Sequence, residues 1–172
     1  DMDDAELVLL EKLYLSVLIE DLPDRQLTIQ DLADWHRRWL GNLYPWAGDL
    51  RSVNMGKGGF TFAAAPQIPR LLADFERDCL RSFTPCNDCT DEELIKAIAL
   101  SHVEFILIHP FREGNGRLSR LLADVMAVQG GRVPLDYSAW EEHKDAYFAA
   151  INQGLSCNYE PMEYWVRRAL LD

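Results

Sequence analysis

The 172-residue chain is short of the features that mark several protein classes, and each shortage narrows the choice. It has no apolar run near the roughly 18 residues that a membrane-spanning helix needs, so no membrane span is expected. Cysteine is scarce: four residues, too few for the disulfide framework of a small secreted scaffold. Three of them, Cys79, Cys86 and Cys89, cluster in CLRSFTPCNDC. One CxxC with a third thiol lacks an evident fourth ligand, so a thiol-bearing loop between helices is expected rather than a zinc site. Positive charge is also in short supply, with 17 Lys and Arg against 28 Asp and Glu and a net charge of −11. Binding nucleic acid through its backbone needs a cationic face, so no nucleic-acid partner is expected; a single nucleotide needs only a few local cations and backbone N–H groups. The N-terminal DMDDAELVLLEKLY is acidic where a secretory leader is basic. A reducing, cytoplasmic setting is therefore the expectation.

β-structure is scarce too. LRSVNMGKGGFTFAAA holds the only strand-like runs, Leu50–Met55 and Phe60–Ala64, around a glycine-rich turn that predicts a lone hairpin. The rest reads as helix. Leu7, Leu10, Leu13, Tyr14 and Val17 fall at helical spacing in a first segment that ends near EDLPD. Thr28 is placed to cap a second helix, which Gly41-Asn42 stops. Pro66 opens a third, before the cysteine loop. Thr90 with Glu93 forms a capping box for the most hydrophobic segment, DEELIKAIALSHVEFILI, the expected central helix, which stops at His109-Pro110. Three more helices follow, RLSRLLADVMAVQ, SAWEEHKDAYFAAINQG and PMEYWVRRALL. With no repeat or linker, the chain reads as one all-α domain over 1–172 bearing one small β-hairpin.

The turn between two of these helices, HPFREGNGRLSR at 109–120, is the most informative stretch. A helix expected to begin near Arg117 presents unpaired N–H groups and the positive end of its dipole. Gly114 and Gly116 let a phosphate approach the backbone, and Asn115 adds an amide. Arg117 and Arg120, three apart, share one helical face and can fork onto phosphate oxygens. Glu113 makes sense beside phosphate if a hard cation such as Mg2+ lies between them. His109, with an ordinary pKa near neutrality, is a natural general base. Phe111 is expected to plug the core. His36, His102 and His143 carry no expected chemistry. Any one of these residues alone would read as a tight corner; the combination reads as a polyphosphate site with a base at its edge.

HPFREGNGRLSR resembles in full the signature HxFx(D/E)GNGRxxR of the Fic (filamentation induced by cAMP) domain family, and HRRWLGNLYPWAGDLRSVNMGKGGFTFA is similar to the family's helix-to-flap region. The likeness spans roughly Thr28 to Leu170, leaving 1–27 as an N-terminal helix and connection. It implies a helical bundle with a hairpin flap, and protein adenylyltransferase activity that moves AMP from ATP to a hydroxyl of a target protein. By the resemblance, His109 would act on that hydroxyl and Glu113 would hold Mg2+ against the α- and β-phosphates. Gly114, Asn115 and Gly116 would form the anion hole, Arg117 would hold the β-phosphate side, and Arg120 the γ-phosphate. The flap, with Lys57, Gly58, Gly59 and Phe60, would pin an extended stretch of target by strand addition, although Lys57 reads equally as a solvated turn residue. Tyr147 and Phe148 are equally open to lining an adenine pocket and to packing.

Many members are inhibited by a glutamate in the pattern (S/T)xxxE(G/N) that pairs with the position of Arg120. Ser16–Glu20, Ser138–Glu142 and Ser156–Glu160 begin the pattern, but Asp21, His143 and Pro161 fail to complete it. Inhibition is therefore expected from a separate antitoxin-like helix or from sequence outside this chain. Related toxins that phosphorylate carry lysine where Gly116 stands, which disfavours a kinase. Transfer of UMP or phosphocholine, and a purely nucleotide-binding module, are the alternatives; His109 disfavours the last.

Overall fold

A computed structural model of the chain describes residues 1–171. Helix α1 (Met2–Tyr14) runs on through a π-helical turn at Leu15–Glu20, and α2 spans Ile29–Leu40. The hairpin pairs β1 (Gly56–Lys57) with β2 (Phe60–Thr61). A 3-10 turn at Ala65–Gln67 leads into α3 (Ile68–Phe75), a π-helical stretch at Glu76–Leu80 and the short α4 (Arg81–Phe83). Then come α5 (Asp91–Ile108), α6 (Asn115–Gln129), α7 (Ser138–Glu142), α8 (Lys144–Gln153) and α9 (Glu160–Leu171). Among the described residues no helix is long and apolar enough to cross a membrane.

The caps explain where the helices start. Thr28 accepts from the Asp31 N–H while the Asp31 carboxylate returns a bond to the Thr28 N–H, and Thr90 with Glu93 repeats the exchange at α5. Each box satisfies two end donors that would otherwise lack partners. As its all-round hydrophobicity predicts, α5 is the central element, packing most extensively on α6 and α9. Leu94, Ile95, Ile98 and Val103 of α5 are fully buried, as are Leu118, Leu121 and Val125 of α6. Each such side chain contributes about 1.5–3 kcal/mol by leaving water. This packing holds the 109–114 loop between two fixed helices.

Four local expectations need correcting, the first being that SAWEEHKDAYFAAINQG is not one helix, since His143 (φ −121°, ψ 49°) breaks it into α7 and α8. Leu50–Met55 is not a strand: only Gly56–Lys57 and Phe60–Thr61 pair, in the register Gly56↔Thr61 and Lys57↔Phe60. The backbone of the preceding segment is held elsewhere, with the Arg51 N–H donating to the Pro110 carbonyl at 2.9 Å. Helix α6 begins at Asn115, two residues before Arg117, because Gly114 takes the left-handed conformation (φ 86°) that closes the loop. Along α1 and its π-helical continuation Leu10, Leu13, Tyr14 and Val17 pack on the core as expected, but Leu7 is exposed and Glu6 beside it is buried. The thiols of Cys79 and Cys86 lie in the core, Cys89 is half-buried and Cys157 exposed, and all are free.

Candidate active site

The site is assembled at the corner between α5 and α6. His109 ends α5 in the left-handed region (φ 52°, ψ 62°), with its N–H still donating to the Phe105 carbonyl. Phe111 turns inward, 2 % exposed, and stacks on the His36 ring at 4.1 Å, so it plugs the core as expected. Asn115 is buried, and its side chain bridges both backbone groups of Phe111: Nδ2 donates to the carbonyl at 2.8 Å and Oδ1 accepts from the N–H at 3.0 Å. The amide expected to face a ligand thus staples the loop; what Asn115 offers the corner is its backbone N–H. No side chain caps α6. Its first N–H groups and the positive end of its dipole are left to an anion. Gly114 packs on Trp39, whereas a Cβ at exposed Gly116 would meet nothing within 4 Å.

The His109 imidazole stacks on Phe62 at 3.7 Å and 6° between planes. Burial first, then the Arg51 guanidinium and more weakly Lys57, lower its pKa to about 4; the Ile106 carbonyl opposes them. Nδ1 is buried without a hydrogen-bond partner among the described residues. Nε2 is left as the working nitrogen. The ring is neutral at pH 7 and able to take a proton.

The two arginines are held by different kinds of partner. Arg117 pairs through Nη1 with Glu6 at 3.0 Å and lies over Trp39, 4.8 Å from its ring centre. Glu6 is 3 % exposed; it also accepts from the Tyr44 hydroxyl at 2.6 Å, and its backbone carbonyl accepts from the Trp39 indole N–H at 2.9 Å. This is a built support. Arg120 instead reaches the half-exposed Glu141 at 2.8 Å, over the rings of Tyr137 and Trp140. A pair this open to water is worth about 0–1 kcal/mol and yields readily to a phosphate. The residue engaging Arg120 is the one before Glu142, which is why the inhibitory pattern does not reveal it. A cavity of about 400 Å³, lined by Leu10, Glu11, Tyr14, Arg117, Arg120 and Tyr137, opens beside both guanidinium groups. The larger cleft, about 490 Å³, runs along α2 and contains none of the motif residues.

Glu113 is exposed, and its carboxylate makes no hydrogen bond or ion pair among the described residues; its backbone carbonyl is held by His36. Nδ1 of His36 accepts from the Gly48 N–H at 2.8 Å, so Nε2 carries the proton and donates to that carbonyl at 2.9 Å. His36 is therefore part of the site's frame. Among the described residues no group of three His, Cys, Asp or Glu is arranged to hold a metal unaided. A lone carboxylate beside an uncapped helix start still fits magnesium, which is commonly shared between one or two carboxylates and substrate phosphates.

The hairpin stands over this corner. Gly58 and Gly59 both have positive φ, as a tight two-residue turn requires, and Lys57, Gly58 and Gly59 are exposed. Lys57 reaches across to Phe148 on α8, 5.6 Å from the ring centre. Tyr147 is buried and tied to His102, so of the two aromatic residues only Phe148 is at the surface. His102 itself bonds Ser119 and Tyr147, and burial holds its pKa down to about 3. Burial lowers His36 as well. In the unfolded chain these three histidines titrate near 6.5. For His102 and His109 the native state thus binds fewer protons between about pH 4 and 6.5, and stability falls on acidification through that window, His36 adding in the same direction. Asp124, raised by burial to about 6, and Glu104, also raised by burial, pull the other way. The expected net loss is on the order of 1–3 kcal/mol per pH unit, seen as a falling urea midpoint from pH 7 to 5. A flat midpoint would contradict the buried neutral histidines.

Sequence reasoning did not single out Glu6, Arg51, Phe62 or Glu141. Only Phe62, an aromatic residue next to the hairpin, carried any signal. Against known proteins, residues 26–127 match the Fic/DOC family. The chain is 32% identical over 146 residues to the protein adenylyltransferase Fic of Nematostella vectensis, covering 83% of this chain and 32% of that protein. It is 31% identical over 140 residues to protein adenylyltransferase fic-1 of Caenorhabditis briggsae, covering 81% of this chain and 26% of that one. It thus spans about a third or less of these relatives. Its fold is shared with the BepC effector protein of Bartonella tribocorum, solved with bound AMPPNP: TM-score 0.78, 21% identity, 98% of this chain and 87% of that one. With an uncapped glycine-bounded helix start, two arginines and a histidine at one corner, and this match over most of its length, the chain belongs to the Fic/DOC family.

Proposed function

We propose that the chain, working as one domain, is a protein adenylyltransferase that moves AMP from ATP to a Ser, Thr or Tyr hydroxyl of another protein and releases pyrophosphate. The observation that carries this reading is His109, neutral and with Nε2 available, beside an uncapped helix start. His109 takes the hydroxyl proton as the oxygen attacks the α-phosphorus; the bond from that phosphorus to the bridging oxygen breaks, and pyrophosphate leaves with the electron pair. Backbone N–H groups at Gly114–Gly116 receive the charge growing on the α-phosphate. Arg117, braced by Glu6, takes the β-phosphate side, and Arg120 exchanges Glu141 for the γ-phosphate. Glu113 would hold magnesium, which when bound neutralises charge on the α- and β-phosphates. The exposed hairpin backbone supplies an edge for an extended target segment, with Lys57 and Phe60 flanking it.

The test uses ATP labelled at the α- or γ-phosphate, with magnesium and a cell lysate. Label from the α position on a protein band supports the reading. Label from the γ position alone would identify a kinase, and label from neither would favour a nucleotide-binding module or another donor. Since Glu141 and the γ-phosphate share one guanidinium, Glu141→Gln is expected to lower the KM for ATP two- to fivefold; a raised KM would show that Glu141 aligns Arg120 instead. Arg120→Ala is expected to weaken transfer less than His109→Ala. A glutamate supplied in trans by an antitoxin-like helix, as proposed from the sequence, would have to displace Glu141 from the same cation.

A further inference from the structure

Arg51 lies outside the 109–120 motif, yet it joins three parts of the site. Its side chain is almost fully buried, 3 % exposed, with no carboxylate beside it. Every hydrogen bond it makes ends on a backbone carbonyl. Nε donates to His109 at 2.6 Å, and Nη2 to Ile108 at 3.1 Å and to Ala63 at 2.6 Å; Nη1 donates to Val53 at 2.7 Å. Its own N–H holds the Pro110 carbonyl. A buried cation without a counter-charge is costly. Here the unpaired carbonyls and negative dipole end of α5 take that place. The guanidinium thus caps α5 at the residue whose side chain is the base.

The same group fixes the hairpin. Val53 precedes β1 and Ala63 follows β2, so both arms are tied to one point. Ala63 is further anchored by its N–H to the Leu107 carbonyl at 3.1 Å, and its neighbour Phe62 is the ring stacked on His109. Left-handed backbone at a histidine is uncommon, and the held carbonyl of His109 keeps it there.

We propose that Arg51 is a positioning residue for the transfer reaction: by gripping the carbonyls of Ile108, His109, Val53 and Ala63 it sets the angle of the His109 ring against Phe62 and registers the flap on the base. This rests on the adenylyltransferase reading for its functional half, so the experiment has one arm that needs no activity. Arg51→Lys keeps the charge but, lacking the planar fork, cannot reach all four carbonyls. Arg51→Met removes the charge too and is the variant at greater risk of misfolding, so Arg51→Lys carries the test. The first measurement is the NMR cross-relaxation between the His109 and Phe62 rings, expected in the wild-type protein and lost in Arg51→Lys. The second is the kinetic split: kcat for α-label transfer is expected to fall ten- to a hundredfold, with the KM for ATP within twofold, since the phosphate-binding groups are untouched. Retention of the ring contact, or a kcat within twofold of wild type, would overturn the proposal. So would a fall in kcat matched by an equal loss of ATP affinity, the mark of general unfolding. Should the wild-type protein transfer no label, the adenylyltransferase reading fails, and the ring contact alone decides whether Arg51 orients His109.

Discussion

His109→Ala is expected to lower AMP transfer by about 10²–10⁴-fold, the range that a positioned general base supplies, while ATP binding stays within a few-fold of wild type. The second half of that expectation comes from the geometry. The anion-binding part of the corner is backbone at the start of α6 plus Arg117 and Arg120, and none of its hydrogen bonds runs through the imidazole. Truncating the ring leaves Phe62 without its stacking partner but leaves Gly114 and Asn115 where they are. Single-turnover transfer of α-label, set against calorimetric binding of a non-hydrolysable ATP analogue, separates the two effects. Equal losses in both would mean that the histidine shapes the pocket and is not a base. The pH dependence gives a second check. The catalytic form is the neutral ring, so the acid limb is expected near pH 4 and not near 6.5, as far down as the fold survives.

The largest contrast between neighbouring substitutions is expected at the two glycines. At Gly114 a Cβ would fall 2.5 Å from Cζ3 and 2.8 Å from Cη2 of Trp39, at a φ of 86°. Trp39 is fully buried, so the ring has nowhere to go. Left-handed strain of about 1–2 kcal/mol adds to overpacking of about 1–3 kcal/mol. Gly114→Ala is therefore expected to destabilise the fold by roughly 2–5 kcal/mol in urea titration, and to disturb the aromatic support of Arg117. Gly116 lies two residues on, and a Cβ there meets nothing within 4 Å. Gly116→Ala, in the first turn of α6 where Ala is favoured over Gly by up to about 1 kcal/mol, should unfold at the same midpoint or slightly above it, so any loss of ATP binding reports a ligand that needs the space above that residue. A lowered midpoint at Gly116, or an unchanged one at Gly114, would contradict this packing.

What the sequence made legible follows from how local each feature is. The caps at Thr28 and Thr90 are set within three residues of chain, and both form. The central helix was plain because α5 is apolar on nearly every side. The hairpin turn was read from Gly58-Gly59, but not the extent of pairing, because Arg51 draws the preceding backbone toward Pro110. The corner could be singled out from its own residue types, which lie together in one short loop. Its supports were not: Glu6 comes from 111 residues before Arg117 and Arg51 from 58 before His109. No periodicity foretells a carboxylate buried for an arginine that far along the chain. Asn115 failed for the opposite reason, since its amide is consumed within the loop by Phe111, a bond no residue pattern displays.

The family-matched stretch, 26–127, leaves out both carboxylates that hold the motif's arginines, Glu6 before it and Glu141 after it. It also leaves out Tyr14 and Tyr137, whose hydroxyls converge on Asp124 beneath Arg120. Cutting to that stretch would strip Arg117 of its brace and leave the buried Asp124 without its three donors, the Tyr14 and Tyr137 hydroxyls and the Leu135 N–H. The two arginines of the corner thus rely on carboxylates that lie outside the stretch by which the family is recognised.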